Sequence, residues 1–91
     1  MKIKAVKIEP ETALKIFERH TVAQEEVYET LKNDRPIFRQ VGGDQYLAIG
    51  SSKTRYITLF FRYDSETKEC DITTAYPSDK KQVKFYRKVM Q

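Results

Sequence analysis

The stretch RYITLFFRYD, at residues 55–64, decides the fold of this 91-residue chain. It is dense in β-branched and aromatic residues, which favour strands. Because successive side chains of a strand point to opposite sides, positions 55, 57, 59, 61 and 63 would share one face and positions 56, 58, 60 and 62 the other. This is the clearest strand prediction in the chain.

Hairpin patterns flank this strand on both sides. Upstream, PIFRQV (36–41) and QYLAIG (45–50) surround Gly42-Gly43-Asp44, a combination typical of a tight hairpin. A second turn is expected at 51–54, before the central strand. Downstream, SETKE (65–69) predicts a turn and CDITTAYP (70–77) a last strand. Together these segments predict a four-stranded, mainly antiparallel sheet.

Helical patterns precede the sheet. Apolar residues recur at helical spacing over 11–20. Thr21 stands three residues before Gln24, which predicts a capping box for a second helix over 22–33. Asn33-Asp34 would end that helix, and the opening KIKAVKIEP (2–10) predicts a short strand or arm before Pro10.

A basic helix is expected at the end of the chain, with Ser78 as its N-cap and an apolar stripe on one side. The prediction is therefore a single α+β domain over residues 1–91. It has two N-terminal helices, a four-stranded mainly antiparallel sheet and a C-terminal basic helix.

Composition excludes several classes of protein. The chain has 40% hydrophobic residues and eleven aromatic ones (six Tyr, five Phe). This is enough apolar surface to form a core, so the composition argues against a disordered chain. No apolar run approaches the ~20 residues of a membrane span, and no signal-peptide pattern opens the chain. A lone Cys70 and a lone His20 build neither a disulfide framework nor an ordinary zinc site. We expect a cytoplasmic protein without metal, cofactor or membrane association.

Acidic residues show no spacing typical of metal ligands. Glu25, Glu26 and Glu29 lie on one predicted helix without a second cluster, and are expected to be solvated. Cys70 is expected to act as a small buried hydrophobe.

Charge is segregated along the chain. Seventeen Lys and Arg against thirteen Asp and Glu give a net charge of +4. Residues 1–77 carry twelve of each sign, so residues 78–91 hold the whole excess. Such a patch attracts polyanions, including RNA, an anionic membrane surface or an acidic protein. The alternative interpretation is a solvated helix face.

From about Val6 to Lys88, the chain resembles the BrnT family of bacterial toxins, relatives of the RelE-type ribonucleases. The segments that carry the resemblance are ALKIFERHTVAQEEV (13–27), GGDQYLAIG (42–50), RYITLFF (55–61), DITTAYP (71–77) and FYR (85–87). Three positions depart from the family pattern: Thr21 replaces a Gly, Tyr76 stands where Arg is common, and Ile8-Glu9-Pro10 replaces a Trp-Asp pair.

The resemblance implies a RelE/BrnT-like fold and a metal-independent endoribonuclease toxin that cleaves RNA by attack of the 2′-hydroxyl group. It also implies a cognate antitoxin that covers the basic surface, and it allows a homodimer. The alternative is a non-catalytic RNA- or protein-binding module on the same fold.

Cleavage of RNA without metal needs cations around the phosphate. Arg55 and Arg62, on the central strand, are the catalytic candidates for this role. The alternative interpretation of Arg55 is that it begins the strand at the surface and has no catalytic role. The alternative interpretation of Arg62 is a charge at the sheet edge that pairs with Asp64 or Asp71.

The reaction also needs a base and an acid, and Tyr76 and His20 are the candidates for proton transfer. Each has a structural alternative: core packing for Tyr76, and hydrogen bonds between two helices for His20. The predicted RNA-binding residues are Lys80, Lys81, Lys84, Tyr86 and Arg87. For Tyr86 the alternative is again core packing.

Overall fold

A computed structural model describes residues 1–32 and 35–90. The elements in chain order are β1 (Ala5–Lys7), α1 (Pro10–His20), α2 (Gln24–Lys32), β2 (Ile37–Gly42), β3 (Gln45–Ser51), β4 (Tyr56–Asp64), β5 (Glu69–Pro77) and α3 (Lys80–Val89). The α+β class and the order of the helices are as predicted. The predicted helix stop at Asn33-Asp34 lies outside the described residues.

The sheet has five strands in the order β1-β5-β4-β3-β2. Strands β2 to β5 form the expected antiparallel meander. The expected count of four is wrong by one, because residues 5–7 pair in parallel with β5, Ala5 lying opposite Glu69. The Lys4 amide donates to the Lys68 carbonyl at 2.7 Å. This pairing gives the N-terminal arm main-chain partners along the otherwise open edge of β5.

Strand β4 has the two faces that its alternation predicts. Its Ile57, Leu59 and Phe61 are almost fully buried, in a core that includes residues of α1 and α2. Helix α3 packs on the other face, where Thr58 donates to Gln82 Oε1 at 3.0 Å and its hydroxyl lies 2.7 Å from the Ser78 hydroxyl. The central strand is therefore covered on one face by α1 and α2 and over part of the other by α3.

Both predicted helix caps are displaced. Thr21 ends α1 instead of starting α2: its φ is +54°, and its N–H donates to the Phe17 carbonyl at 2.9 Å. The left-handed region favours glycine and is unusual for a β-branched residue. Asp79, not Ser78, caps α3, and it forms a capping box with Gln82 at 2.8 and 2.9 Å.

A β-bulge interrupts the pairing of β4 with β5. Phe60 pairs with Thr74 and Phe61 with Ile72, so Thr73 is an extra residue. Its hydroxyl donates to the Phe60 carbonyl at 3.0 Å. Bulges re-aim side chains next to the point of insertion.

No helix within residues 1–32 and 35–90 is long and apolar enough to cross a membrane.

Candidate functional site

Two of the predicted catalytic residues meet at the end of α1. The His20 ring lies against the Tyr76 ring, with centroids 5.9 Å apart and planes inclined by 53°. Both side chains are half-buried. The ring of Phe60, across the strand pair, lies 6.3 Å from the Tyr76 ring. An imidazole and a phenol thus share one partly open site.

The first turn of α3 orients the Tyr76 hydroxyl. Gln82 Nε2 donates to it at 3.0 Å. The opposite oxygen of that amide accepts from the Asp79 N–H and the Thr58 hydroxyl, which fixes the amide orientation. Because the phenol oxygen accepts this bond, its own proton is left to donate elsewhere. Gln82 therefore belongs to the site, although its sequence position indicated no such role.

The Arg55 guanidinium is occupied by Glu26 and by the backbone carbonyl that follows His20. Its Nε and Nη2 bind the two carboxylate oxygens of Glu26 at 2.8 Å each, and Nη2 also donates to the Thr21 carbonyl at 2.7 Å. This hydrogen-bonded fork lowers the pKa of Glu26, and the Glu26 carboxylate raises the pKa of Arg55. The expectation that Glu26 is solvated is wrong, because it ties α2 to the start of β4.

Arg62 is exposed at the opposite end of β4, paired in register with Asp71 and Gln45. Thr58, the register partner of Tyr76, lies four residues away, or roughly 13 Å along the strand. Arg62 lines an open cavity of about 510 Å³ whose acidic lining residues are Asp44, Asp64, Glu66, Glu69 and Asp71. Carboxylates in this number oppose phosphate binding.

These acidic residues do not form a metal site. Within the described part of the chain, no group of three His, Cys, Asp or Glu is placed to hold a metal ion. Arg62 forms no ion pair within 4.0 Å with any residue in the described ranges. The alternative of a salt bridge to Asp64 or Asp71 is therefore wrong.

Helix α3 divides the predicted RNA-binding residues into two groups. Lys80, Lys81, Lys84 and Arg87 are exposed, and the Arg87 guanidinium lies 5.6 Å from the centre of the Tyr56 ring. Tyr86 is only 7% exposed. Its ring lies 5.4 Å from that of Tyr56, and its hydroxyl donates to the Arg35 carbonyl at 3.3 Å. Packing explains Tyr86, while the four cations remain accessible.

Cys70 is fully buried, as expected, and burial raises the pKa of its thiol to about 11. Such a thiol is inert as a nucleophile near neutral pH.

Comparisons with known proteins bear on the fold. No protein-family profile matches the sequence, and no curated protein matches it. Among solved structures, the chain is similar to the 1.1 Å crystal structure of the Brucella abortus ribonuclease toxin BrnT. The TM-score is 0.67 at 10% identity, covering 84% of this chain and 97% of that one. The BrnT-like fold predicted from the sequence is thereby confirmed.

Proposed function

We propose that this protein is a metal-independent endoribonuclease of the toxin type, with His20 and Tyr76 as its proton-transfer pair. The observation that carries the proposal is the contact between these two rings, on a fold shared with a ribonuclease toxin. Resemblance to the BrnT family supports the same assignment.

The reaction follows from the chemistry of the two side chains. His20 takes the proton of a ribose 2′-hydroxyl, whose oxygen then attacks the adjacent phosphorus. The bond between phosphorus and the 5′-oxygen breaks, and Tyr76 donates its phenol proton to that oxygen. The products are a 2′,3′-cyclic phosphate and a 5′-hydroxyl. Solvent then restores the proton to Tyr76 and removes one from His20.

Cations on α3 supply the electrostatic part of the proposal. Lys80 and Lys81 lie in the first turn of the helix whose Gln82 binds Tyr76. Their charges attract the RNA backbone towards the site. Arg55 is bound to Glu26 and Arg62 stands among carboxylates, so neither has a part in the proposed reaction.

A non-catalytic RNA-binding module is the second candidate. The neighbouring rings of Tyr76 and Phe60 favour it, because bases stack on aromatic side chains without being cleaved. Both candidates predict RNA binding, and only the first predicts product.

A cognate antitoxin is the proposed partner. Exposed Phe85 and Val89 on α3, 43% and 50% exposed, border an apolar groove that also includes Ile37, Leu47 and Ile49. Apolar residues beside the cations of α3 suit a partner that is both acidic and apolar. Self-association through this surface would instead give a molar mass, measured by light scattering, that rises with protein concentration.

The decisive experiment incubates the purified protein with naked RNA in excess EDTA. We expect fragments ending in cyclic phosphate and 5′-hydroxyl, and at least about a hundredfold slower cleavage by Tyr76→Phe. Tyr28→Phe, a half-buried tyrosine on α2, is the matched control and should cleave normally. Equal cleavage by a His20→Gln/Tyr76→Phe variant would overturn the assignment. Absence of wild-type cleavage, with ribosomes added as well, would overturn the activity.

A further inference from the structure

A second, polar cavity adjoins His20 on the side of α1. It has a volume of about 250 Å³ and lies between α1 and β5. Its polar lining side chains are Thr12, Lys15, Arg19, His20, Thr73 and Thr74. This volume is below the range of ordinary small-molecule pockets, which suits a single charged group better than a whole metabolite.

The local structure explains why these groups converge. Lys15 and Arg19 are four residues apart on α1 and therefore project from the same side of the helix. Thr73 and Thr74 are consecutive and would normally face opposite sides of the sheet. The β-bulge at Thr73 breaks this alternation, so both threonines line the cavity.

The electrostatics of the cavity favour an anion. None of its seven lining residues is acidic. Lys15 and Arg19 are exposed, and neither forms a salt bridge within residues 1–32 and 35–90. The Thr73 hydroxyl donates to the Phe60 carbonyl. The donors that the cavity offers to phosphate oxygens are therefore two uncompensated cations, the hydroxyl groups of Thr12 and Thr74 and an imidazole.

We propose that this cavity binds a backbone phosphate of the RNA, next to the phosphate that is cleaved. The inference rests on the proposed function for the identity of the ligand, because RNA places phosphates on both sides of each cleaved bond. His20 would face both the cleaved linkage and the bound phosphate. Lys15 and Arg19 would thereby set the register of the strand over His20 and Tyr76.

Binding of a single-stranded DNA oligonucleotide tests this inference separately from cleavage, since DNA has no 2′-hydroxyl to attack. Fluorescence anisotropy at several salt concentrations would compare the wild type with Lys15→Gln/Arg19→Gln. Loss of one phosphate contact should weaken binding about fivefold at 0.1 M salt and reduce the slope of log K against log salt by about 0.7.

The matched control is Lys4→Gln/Lys32→Gln. It removes two exposed cations from a different cavity, between β1 and α2, and makes the same change in net charge. We expect it to bind as the wild type does. Thermal melting of both double variants would verify that each is folded, which is expected for substitutions of exposed side chains.

NMR of the imidazole provides a second readout, because His20 is the sole histidine of the sequence. Its ring signals should shift when the oligonucleotide binds the wild type or the control, and shift clearly less with Lys15→Gln/Arg19→Gln at the same fraction of bound protein. The phosphate site would be overturned if that variant bound the oligonucleotide as tightly as the wild type and its His20 signals moved on binding as far as those of the wild type. This holds even if the protein cleaves RNA. A reduced salt slope without any cleavage would uphold the site and reject the ribonuclease.

Discussion

At the scale of single residues, the most consequential finding is that structural partners occupy the Arg55 guanidinium. Arg55 binds Glu26 through two bonds and the Thr21 carbonyl through a third. Thr21 directly follows His20, so the fork fixes the point at which α1 ends. Arg55 is thereby assigned to the architecture around the site, whereas His20 and Tyr76 carry the proposed chemistry.

Replacing Arg55 tests this division. Arg55→Gln leaves a partly buried Glu26 carboxylate without its cation, and should lower the free energy of unfolding at pH 7 by about 2 kcal/mol. The control is Lys53→Gln, which breaks the more exposed pair with Glu29 and should cost less than about 0.5 kcal/mol. Urea unfolding measures both. An equal effect of the two variants would contradict the special role of Arg55.

The same pair makes a pH prediction. The pKa of Glu26 is lowered in the folded state from its ordinary 4.5, so the unfolded chain takes up a proton first as pH falls. The stability it contributes is complete above about pH 4.5 and is lost at lower pH. The difference between wild type and Arg55→Gln should therefore shrink between pH 7 and pH 3. A difference that stays constant would show that the ion pair is not its origin.

At the scale of elements, close packing between α2 and β3 depends on one glycine. A Cβ atom added at Gly50 would lie 3.0 Å from the Pro36 Cβ atom, the Thr30 methyl group and the Thr30 carbonyl oxygen. The Thr30 carbonyl oxygen belongs to the helix backbone, which cannot move aside as the end of a flexible side chain can. This position therefore determines how closely the helix approaches the sheet.

Gly50→Ala should lower the free energy of unfolding by about 1–3 kcal/mol, as overpacking of a dense core does. The control is Gly42→Ala in the same sheet, where an added Cβ meets nothing within 4 Å. Chemical denaturation of both variants gives the comparison. A loss for Gly42→Ala as large as that for Gly50→Ala would attribute the effect to glycine itself and not to the contact with α2.

Helix ends were the elements least accessible to sequence reasoning. Thr21 and Ser78 both belong to residue types that cap helices, and each lies beside the true boundary. The capping pattern that begins at Thr21 does not cap α2, because Thr21 closes α1 instead. Local sequence pattern locates the end of a helix to within a few residues. At the junction of α1 and α2, the Arg55 guanidinium also binds the Thr21 carbonyl, a tertiary contact that the local pattern does not contain.

At the scale of the whole molecule, charge is divided between two ends. Carboxylates gather around Arg62 at one end of β4, whereas exposed cations occupy α3 and the side of α1 next to His20. This separation would orient an approaching polyanion towards His20 and Tyr76 and away from Arg62.

A triple substitution tests whether the location of charge matters. Lys80→Gln/Lys81→Gln/Lys84→Gln lowers the net charge from +4 to +1 and should weaken RNA binding and its salt dependence, with little change in melting temperature. The control Lys2→Gln/Lys4→Gln/Lys32→Gln reaches the same net charge and should bind more tightly than the α3 variant. Equal weakening by both would assign the effect to total charge.

The sequence by itself determined the four antiparallel strands, the two faces of β4, the three helices and the concentration of charge in the last fourteen residues. Each of these follows from neighbours a few residues apart, through side-chain periodicity, turn chemistry and composition. A fold like that of BrnT was predicted from the resemblance of several segments, in their order along the chain, to that family, and the structural similarity supports it.

Only the tertiary structure decided which chemical groups meet. His20 and Tyr76 are 56 positions apart, and Glu26 and Arg55 are 29 apart. Parallel pairing of β1, the acidic surroundings of Arg62 and the convergence of Lys15 and Arg19 on Thr73 and Thr74 likewise depend on distant segments. Such contacts leave no periodic trace in the chain, because they join segments far apart in the sequence and are fixed by tertiary packing and not by local backbone preference.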